Sequence, residues 1–195
     1  MNNEIIDGSS HEKHKLNDEE TKISERLFNK FNEYFISRKN RNENAGLYFS
    51  SNQNVDNFAL LLNNSNSEIK NLIKPLGVYF SLDKITDCDV NNIYESFLKQ
   101  EHVVIECTPD IIIEFSYMSD KNIFSVKKKL YEELGVFECW EINTEKKDII
   151  VYRLNDNKLK FSSTYYPGDK VKTPILKGFG LSIHDVFNSR IPLPD

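Results

Sequence analysis

The sequence has no long hydrophobic run and no excess of basic residues. No apolar stretch in its 195 residues approaches the ~20 that a membrane-spanning helix needs, and the N-terminus lacks the charged-then-apolar pattern of a signal peptide. We therefore expect a cytoplasmic protein without a membrane partner. The net charge of −5 is not typical of a protein that coats nucleic acid nonspecifically, although it leaves room for a local basic groove.

Cysteine is also scarce. The three cysteines, Cys88, Cys107 and Cys139, lie far apart and show no Cys-x-x-Cys spacing. This arrangement indicates neither a disulfide framework nor a zinc knuckle. We expect the thiols to be reduced and mostly buried.

The length of the chain and its 39% hydrophobic content are sufficient for one core of ordinary size. We predict an N-terminal strand and a flexible polar segment over residues 1–18, followed by a single domain over residues 19–195. Asparagine is concentrated inside that domain, with nine in the 27 residues from 40 to 66. This composition predicts an insertion with a short helix or strand of its own.

Hydrophobic periodicity indicates an α/β protein. Apolar residues recur at helical spacing from Ile23 onward and predict a helix over residues 19–37. Asn17 or Asp18 is the expected N-cap of this helix. The further expected elements are strands over 74–80, 102–106 and 109–115, a helix over 123–134, a strand over 136–142, and a hairpin formed by "DIIVYRL" and "KLKFSSTYY". This order predicts a mixed sheet flanked by helices, with a C-terminal β-hairpin extension.

The segment Pro109–Phe115, "PDIIIEF", reads as a buried strand that contains two acidic residues. Side chains alternate along a strand, so we expect Asp110 and Glu114 to share one face. Two carboxylates on one rigid edge suit Mg²⁺, which prefers oxygen ligands in octahedral geometry. The alternative is that Asp110 only ends a turn and that Glu114 forms a structural ion pair with a lysine or arginine.

The helix that follows this strand carries a lysine on its apolar side. Its apolar stripe consists of Ile123, Val126, Leu130 and Leu134. Lys127 falls near the middle of that stripe and is therefore aimed inward, where it can meet Glu114. An acid that holds a metal and an ammonium that orients water or neutralises phosphorane charge are the groups that metal-assisted phosphodiester cleavage needs. The alternative is that the Lys127 stem crosses the interface and leaves its ammonium in water.

These elements occur in an order that is found in a known family. The segment from Pro109 to Leu154 resembles the Uma2 family (DUF820), a large bacterial group of proposed nucleases with the PD-(D/E)XK restriction-endonuclease fold. The family pattern is a PDLxxEVxS strand, a helix with K-x3-Y, a G-V-x-E-Y-W strand and a V-x-V-Y strand. Lys127 and Tyr131 match the second element, and "GVFECW" matches the third. The opening "EIIDGSS" also resembles the E-L-I-D-G-E opening of the family.

The resemblance implies a metal-dependent endonuclease, a hydrolase that uses Mg²⁺ or Mn²⁺ and has DNA as its expected substrate. Glu114 matches the glutamate of the family pattern. Ser116 stands where the standard fold would carry its lysine, and Lys127 matches a lysine that has moved to the helix. The resemblance therefore implies catalytic roles for Glu114 and Lys127.

The resemblance does not identify a single residue as the second metal-binding acid. The family has an earlier P-D strand about 25 residues before the glutamate, and Asp89 lies at that distance from Glu114, with Cys88 in place of the proline. Asp89 is therefore the expected catalytic and metal-binding partner of Glu114. Glu106 is the alternative acid if residues 102–106 form the neighbouring strand. Asp110 either binds metal or only shapes the start of its strand.

Departures from the family pattern keep a second function open. The usual S-P-S-T after the glutamate strand is replaced by "SYMSD" over residues 116–120. Such departures suit a catalytically inactive nuclease-fold module that binds nucleic acid or a protein partner, because fold and chemistry are separable. A third hypothesis is a homodimer built on the terminal hairpin.

Overall fold

The computed structural model describes residues 3–6, 9–12, 15–41, 43, 46–50, 58–63, 70–86, 103–116 and 121–187. Over these ranges, no helix is both long enough and apolar enough to cross a membrane.

Short strands outnumber helices in this part of the chain. The strands are β1 (Asn3–Ile6), β2 (Ser9–Glu12), β3 (Leu47–Ser50), β4 (Phe58–Asn63), β5 (Lys70–Ile73), β6 (Gly77–Phe80), β7 (Val103–Ile105), β8 (Ile111–Ser116), β9 (Glu138–Asn143), β10 (Asp148–Asn155), β11 (Lys158–Tyr165), β12 (Lys170–Val171) and β13 (Leu181–Ser182). The helices are α1 (Asp18–Lys39), α2 (Leu82–Thr86), α3 (Lys121–Glu133) and α4 (Ile183–Phe187).

Two larger sheets organise these strands. The six-stranded sheet has the order β11-β10-β9-β8-β6-β3, and the five-stranded sheet has the order β2-β1-β5-β4-β7. In the six-stranded sheet β8 and β9 are parallel, whereas β9, β10 and β11 are joined antiparallel. The strands β12 and β13 form a small separate pair. The predicted mixed α/β architecture with a C-terminal hairpin is therefore confirmed.

Helix α1 begins where its sequence predicts. The Asn17 side chain accepts hydrogen bonds from the backbone N–H groups of Glu19 and Glu20, at 2.9 and 3.0 Å. The Glu20 carboxylate accepts the backbone N–H of Asn17 at 2.9 Å, which completes a reciprocal capping box. The buried face of α1 includes Ile23, Leu27 and Phe31. Phe31 stacks on Tyr48 with ring centroids 4.0 Å apart, which fixes α1 against β3.

The six-stranded sheet has an apolar core on each face. One core lies beneath α1 and α4 and includes Phe31, Trp140 and Val186. The other lies beneath α3 and reaches the five-stranded sheet, with Leu60 and Leu130 among its members. Burial of apolar surface in these two layers is the main favourable contribution to stability.

Strand β8 supplies both cores because its side chains alternate. Ile111, Ile113 and Phe115 lie in the core under α1. Ile112 lies in the core under α3. Glu114 follows Ile112 at the period of two and faces α3 as well, as its contacts with that helix show. The strand thus presents one carboxylate to the buried side of α3.

The structure contains regular elements that periodicity did not predict. Residues Ser9–Glu12, expected to be polar and without regular structure, form β2 and pair with β1. In the asparagine-rich segment, where the sequence predicts a short helix or strand within an insertion, the apolar pieces are strands of the two sheets, since β3 pairs with β6 and β4 pairs with β5 and β7. The single strand predicted over 74–80 is also wrong in its first half, because only Gly77–Phe80 is a strand there.

The prediction for the cysteines holds only in part. Cys139 is a free, buried thiol on β9, and its burial raises the pKa well above the ordinary value. Cys107, however, is disulfide-bonded, so the expectation that all thiols are reduced is wrong. Cys88 lies outside the described residues.

Candidate active site

Lys127 and Glu114 meet where α3 crosses β8. The Nζ atom of Lys127 lies 3.1 Å from Oε1 of Glu114. Both residues are only 7% exposed, so the pair is shielded from water. The lysine faces inward as the apolar stripe of α3 predicts, and its ammonium does not reach the surface. The predicted contact between these two side chains is therefore observed.

Tyr131 supplies a second hydrogen bond to the same carboxylate oxygen. It lies one helical turn after Lys127 on α3, so both side chains project from the same face. The fully buried Tyr131 hydroxyl donates to Oε1 of Glu114. Burial and the nearby Glu114 charge raise the pKa of the Tyr131 hydroxyl well above its ordinary value. The phenol therefore stays protonated and acts as a donor.

A second carboxylate reaches the lysine from the N-terminal strand. Oε1 of Glu4 lies 2.9 Å from Nζ of Lys127, and Glu4 is 4% exposed. The same oxygen accepts the backbone N–H of Lys74 at 2.7 Å. Strand β1 is aligned for this contact by its antiparallel pairing with β5, in which Ile5 lies opposite Leu72. Lys127 therefore lies between two buried carboxylates.

Sequence reasoning missed Glu4 as a site residue. Alternation along β1 does place Glu4 and Ile6 on its buried side, and a polar residue on a buried face indicates a partner. The "EIIDG" opening was the available signal, but nothing local shows that this strand lies beside α3. The contact joins residues 123 positions apart in the chain.

Burial and the neighbouring opposite charges shift the pKa values of Glu114 and Lys127 in opposite directions. Burial raises the pKa of Glu114, the Lys127 ammonium opposes that shift, and the Glu4 carboxylate adds to it. Burial lowers the pKa of Lys127, but the carboxylates of Glu114 and Glu4 outweigh it, so its pKa lies above the ordinary value. Lys127 is therefore charged at neutral pH. The cluster therefore places one ammonium in contact with two buried carboxyl groups.

Glu141 is another acid beside the cluster that the sequence analysis did not consider. It lies opposite Glu114 in the parallel pairing of β8 and β9, so the two side chains share one face. Its Oε2 accepts the Tyr152 hydroxyl at 2.8 Å. The Lys128 ammonium lies 4.3 Å from the centroid of the Tyr152 ring, which adds positive charge nearby.

Asp110 has a different set of partners. Its Oδ2 accepts the backbone N–H of Ser81 at 2.6 Å, and its backbone N–H donates to the carbonyl of Tyr79 at 2.8 Å. Its own carbonyl accepts the N–H of Glu138 at 2.9 Å. Asp110 thus shapes the entry into β8, and no described contact joins it to Glu114. A metal-binding role for Asp110 stays a prediction.

The other two candidate acids differ in what the structure shows. Glu106 is exposed just after β7, and β7 pairs with β4 in the five-stranded sheet. The condition that made Glu106 a candidate, a strand next to β8, is therefore wrong. Asp89 lies outside the described residues. Within the described residues, no group of three or more His, Cys, Asp or Glu side chains is arranged to hold a metal ion.

Comparison with known proteins identifies the family. Residues 1–184 match the family described as "Uma2: Putative restriction endonuclease". The chain belongs to the Uma2 family. It is also similar in fold to the crystal structure of a protein described as a putative nuclease belonging to DUF820 from Anabaena variabilis ATCC 29413, with a TM-score of 0.67 and 17% sequence identity. That similarity covers 95% of this chain and 89% of the other chain. No curated protein matches the sequence.

The Uma2 motifs take on distinct structural roles in this chain. The K-x3-Y residues Lys127 and Tyr131 both bind Glu114. The Glu138 of the third motif instead accepts Trp140 Nε1 at 2.8 Å and Arg153 Nε at 2.7 Å, and so links β9 to β10. The first two motifs build the polar cluster of this Uma2 protein, whereas the third builds its sheet.

Proposed function

We propose that this Uma2 protein is a metal-dependent endonuclease that hydrolyses phosphodiester bonds, with DNA as its substrate and Mg²⁺ or Mn²⁺ as its cofactor. The observation that carries the proposal is the buried, charged Lys127 in contact with Glu114. Burying an ammonium between carboxylates is costly, and replacing such groups with apolar side chains is often neutral or stabilising. We therefore infer that these charged residues are kept for a functional reason.

Glu114 has the chemistry that a hard cation requires. Both of its hydrogen bonds to described residues end on Oε1, so Oε2 is the oxygen proposed to bind the ion. Carboxylate oxygens and waters are the preferred ligands of Mg²⁺. Glu114 and, following the family pattern, Asp89 would hold the metal. A bound ion of this kind lowers the pKa of a coordinated water and polarises the phosphate.

Lys127 acts as a hydrogen-bond donor in this scheme. The carboxylates beside it raise its pKa, so it carries its proton at neutral pH and is not a general base. Its ammonium is proposed to orient the attacking water and to stabilise negative charge on a non-bridging phosphate oxygen. Tyr131 holds Oε1 of Glu114 and thereby sets the direction of the other carboxylate oxygen.

A catalytically inactive module that binds nucleic acid or a protein partner is the second candidate. Two observations favour it. The lysine position of the usual strand is Ser116, and the described residues contain no complete set of metal ligands. In this alternative, Glu4, Glu114 and Lys127 form a structural network, and the chain is indifferent to Mg²⁺.

The hairpin of β10 and β11 is the proposed contact surface of a homodimer. Strand β11 lies at the end of the six-stranded sheet, and Phe161 on it is 65% exposed. An edge strand with an exposed aromatic side chain is a surface on which a second copy can pair. Sedimentation velocity of wild type and Phe161→Lys tests this, since a hairpin-mediated dimer should become a monomer in the variant.

The nicking of supercoiled plasmid tests the proposed enzyme. Wild type, Glu114→Gln and Lys127→Met are compared in Mg²⁺, in Mn²⁺ and in EDTA. Glu145→Gln and Lys129→Met are matched controls, because both positions are exposed and each substitution removes the same charge. We expect metal-dependent nicking by wild type and both controls, none by Glu114→Gln, and only a slow residual rate by Lys127→Met. No nicking by wild type in either metal would favour the inactive module.

A further inference from the structure

The N-terminal strand delivers a carboxylate to the ammonium that the proposed chemistry uses. Glu4 Oε1 lies 2.9 Å from Lys127 Nζ, slightly closer than Glu114 Oε1 at 3.1 Å. Two carboxyl groups on different strands therefore contact the Lys127 ammonium, Glu4 on β1 and Glu114 on β8. Within the described residues, Glu4 makes no hydrogen bond with Glu114 or Tyr131.

Glu4 is itself fixed in place. The backbone N–H of Lys74 donates to its Oε1 at 2.7 Å, immediately after β5. Strand β1 pairs with β5 on one side and with β2 on the other. At 4% exposure, the Glu4 side chain is held by backbone structure and excluded from water. Such a carboxylate can orient a partner without reorganising.

A metal ion bound at Glu114 would weaken the contact between Glu114 and Lys127. The ion would compete for the Glu114 carboxylate, and its positive charge would repel an ammonium held only by that carboxylate. Glu4 does not depend on Oε2 of Glu114, so its contact with Lys127 can persist when Glu114 binds the ion. With both contacts present, Glu114 can bind the metal while Glu4 holds the lysine.

We propose that Glu4 is a positioning residue, which holds the Lys127 ammonium beside Glu114 while the metal is bound. The inference rests on the proposed endonuclease function. It makes the N-terminal strand β1 a part of the active site. Two other roles for Glu4 give different results: a purely structural contact that fastens β1, and direct ligation of the metal.

The experiment is a double-mutant cycle between Glu4→Gln and Lys127→Met. Nicking kinetics give kcat and KM, calorimetry with Mn²⁺ gives the metal affinity, and circular dichroism shows the fraction folded. Glu12→Gln on the adjacent β2 is the matched control, because that residue is exposed and the substitution removes the same charge. Glu4→Asp keeps the charge and shortens the side chain by one methylene, so it tests for partial rescue.

The positioning role predicts a specific set of results. Glu4→Gln should lower kcat at least about tenfold, with KM and the Mn²⁺ dissociation constant within about threefold of wild type. In the Lys127→Met background, Glu4→Gln should lower the residual rate no further, because residues that act through one another are not additive. Glu4→Asp should retain more activity than Glu4→Gln, and Glu12→Gln should match wild type.

Several results would overturn the inference. One is a kcat for Glu4→Gln equal to that of Glu12→Gln. Another is that Glu4→Gln lowers the rate as much in the Lys127→Met background as it does in wild type. A third is the loss of Mn²⁺ binding in Glu4→Gln. If Glu4→Gln does not fold, a folded and Mn²⁺-binding Glu4→Asp with a lowered but measurable kcat still supports positioning, whereas a Glu4→Asp with the kcat of wild type contradicts it. A wild type that neither binds Mn²⁺ nor nicks DNA overturns the proposed function, and the inference falls with it.

Discussion

The ammonium of Lys127 lies 3.1 Å from Oε1 of Glu114, and both side chains are buried between α3 and β8. This contact answers why the most hydrophobic strand of the chain tolerates a carboxylate. An unpaired buried charge would be neutralised or expelled, but Glu114 has an ammonium and a phenol as partners. The network is closed by Glu4, which shares Lys127.

Replacing Glu114 with glutamine should change stability little. Glu4 still neutralises Lys127 in Glu114→Gln, and glutamine can accept a hydrogen bond through its amide oxygen. We expect the free energy of unfolding to change by less than about 2 kcal/mol. Urea denaturation followed by circular dichroism measures it, with Glu145→Gln as the control. A loss of about 3–5 kcal/mol would instead indicate that the pair is essential to the fold.

Removing the lysine should be more damaging. Lys127→Met leaves the carboxylates of Glu4 and Glu114 buried without a countercharge. Breaking a buried ion pair by removing one partner costs about 3–5 kcal/mol. Urea denaturation at neutral pH should show a loss of this size, whereas the exposed Lys129→Met should lie within about 0.5 kcal/mol of wild type. Equal stabilities of the two variants would contradict the buried network.

The hydroxyl of Tyr131 should contribute through one hydrogen bond. Tyr131→Phe removes the donor to Glu114 and keeps the ring in the core. Because the acceptor is a carboxylate, we expect a loss of about 1.5–3 kcal/mol in the free energy of unfolding. Tyr166→Phe is the control, since that residue is exposed. An unchanged stability of Tyr131→Phe would mean that Glu114 finds another donor.

The pH dependence of stability should report on Glu114. Its pKa is raised in the folded protein, mainly by burial, so the native state binds this proton more tightly than the unfolded chain does. Its contribution to stability is therefore present at low pH and is lost as the pH rises from the ordinary carboxyl value of 4.5 through the raised value. Lys127 has a raised pKa, so its contribution is retained up to its ordinary value of 10.5 and is lost as the pH rises further.

The difference in stability between wild type and Glu114→Gln isolates this contribution. As the pH rises above 4.5, the free energy of unfolding of wild type should fall relative to that of Glu114→Gln, and at higher pH the difference should become constant. Urea denaturation at a series of pH values measures it. A difference that shifts in favour of wild type over the same interval would show that the pKa of Glu114 is lowered in the folded protein.

Sequence alone predicted the centre of the candidate site but not its boundaries. The period of two in β8 and the apolar stripe of α3 are local patterns, and together they predict that Lys127 meets Glu114. Glu4 could not be placed in this way, because its position depends on the pairing of β1 with β5, far along the chain. Asp110 precedes β8, and its carboxylate accepts the backbone N–H of Ser81, a contact between distant segments that local alternation does not predict.

The asparagine-rich segment illustrates the same limit in the fold. Its composition predicts an insertion with a short helix or strand of its own, yet Leu47–Ser50 and Phe58–Asn63 are strands of the two sheets. Their partners β6, β5 and β7 stabilise them through pairings between segments that are distant in sequence. Tertiary context therefore overrides local composition at these strands.

The proposed metal-binding role of Glu114 is tested most directly by calorimetric titration of Mn²⁺ into wild type and Glu114→Gln, with Glu145→Gln as the control. We predict that wild type and the control bind Mn²⁺ alike, and that Glu114→Gln remains folded but does not bind it. Mn²⁺ binding by Glu114→Gln with the affinity of wild type, or no binding by wild type, would contradict the assignment of Glu114 as a metal ligand.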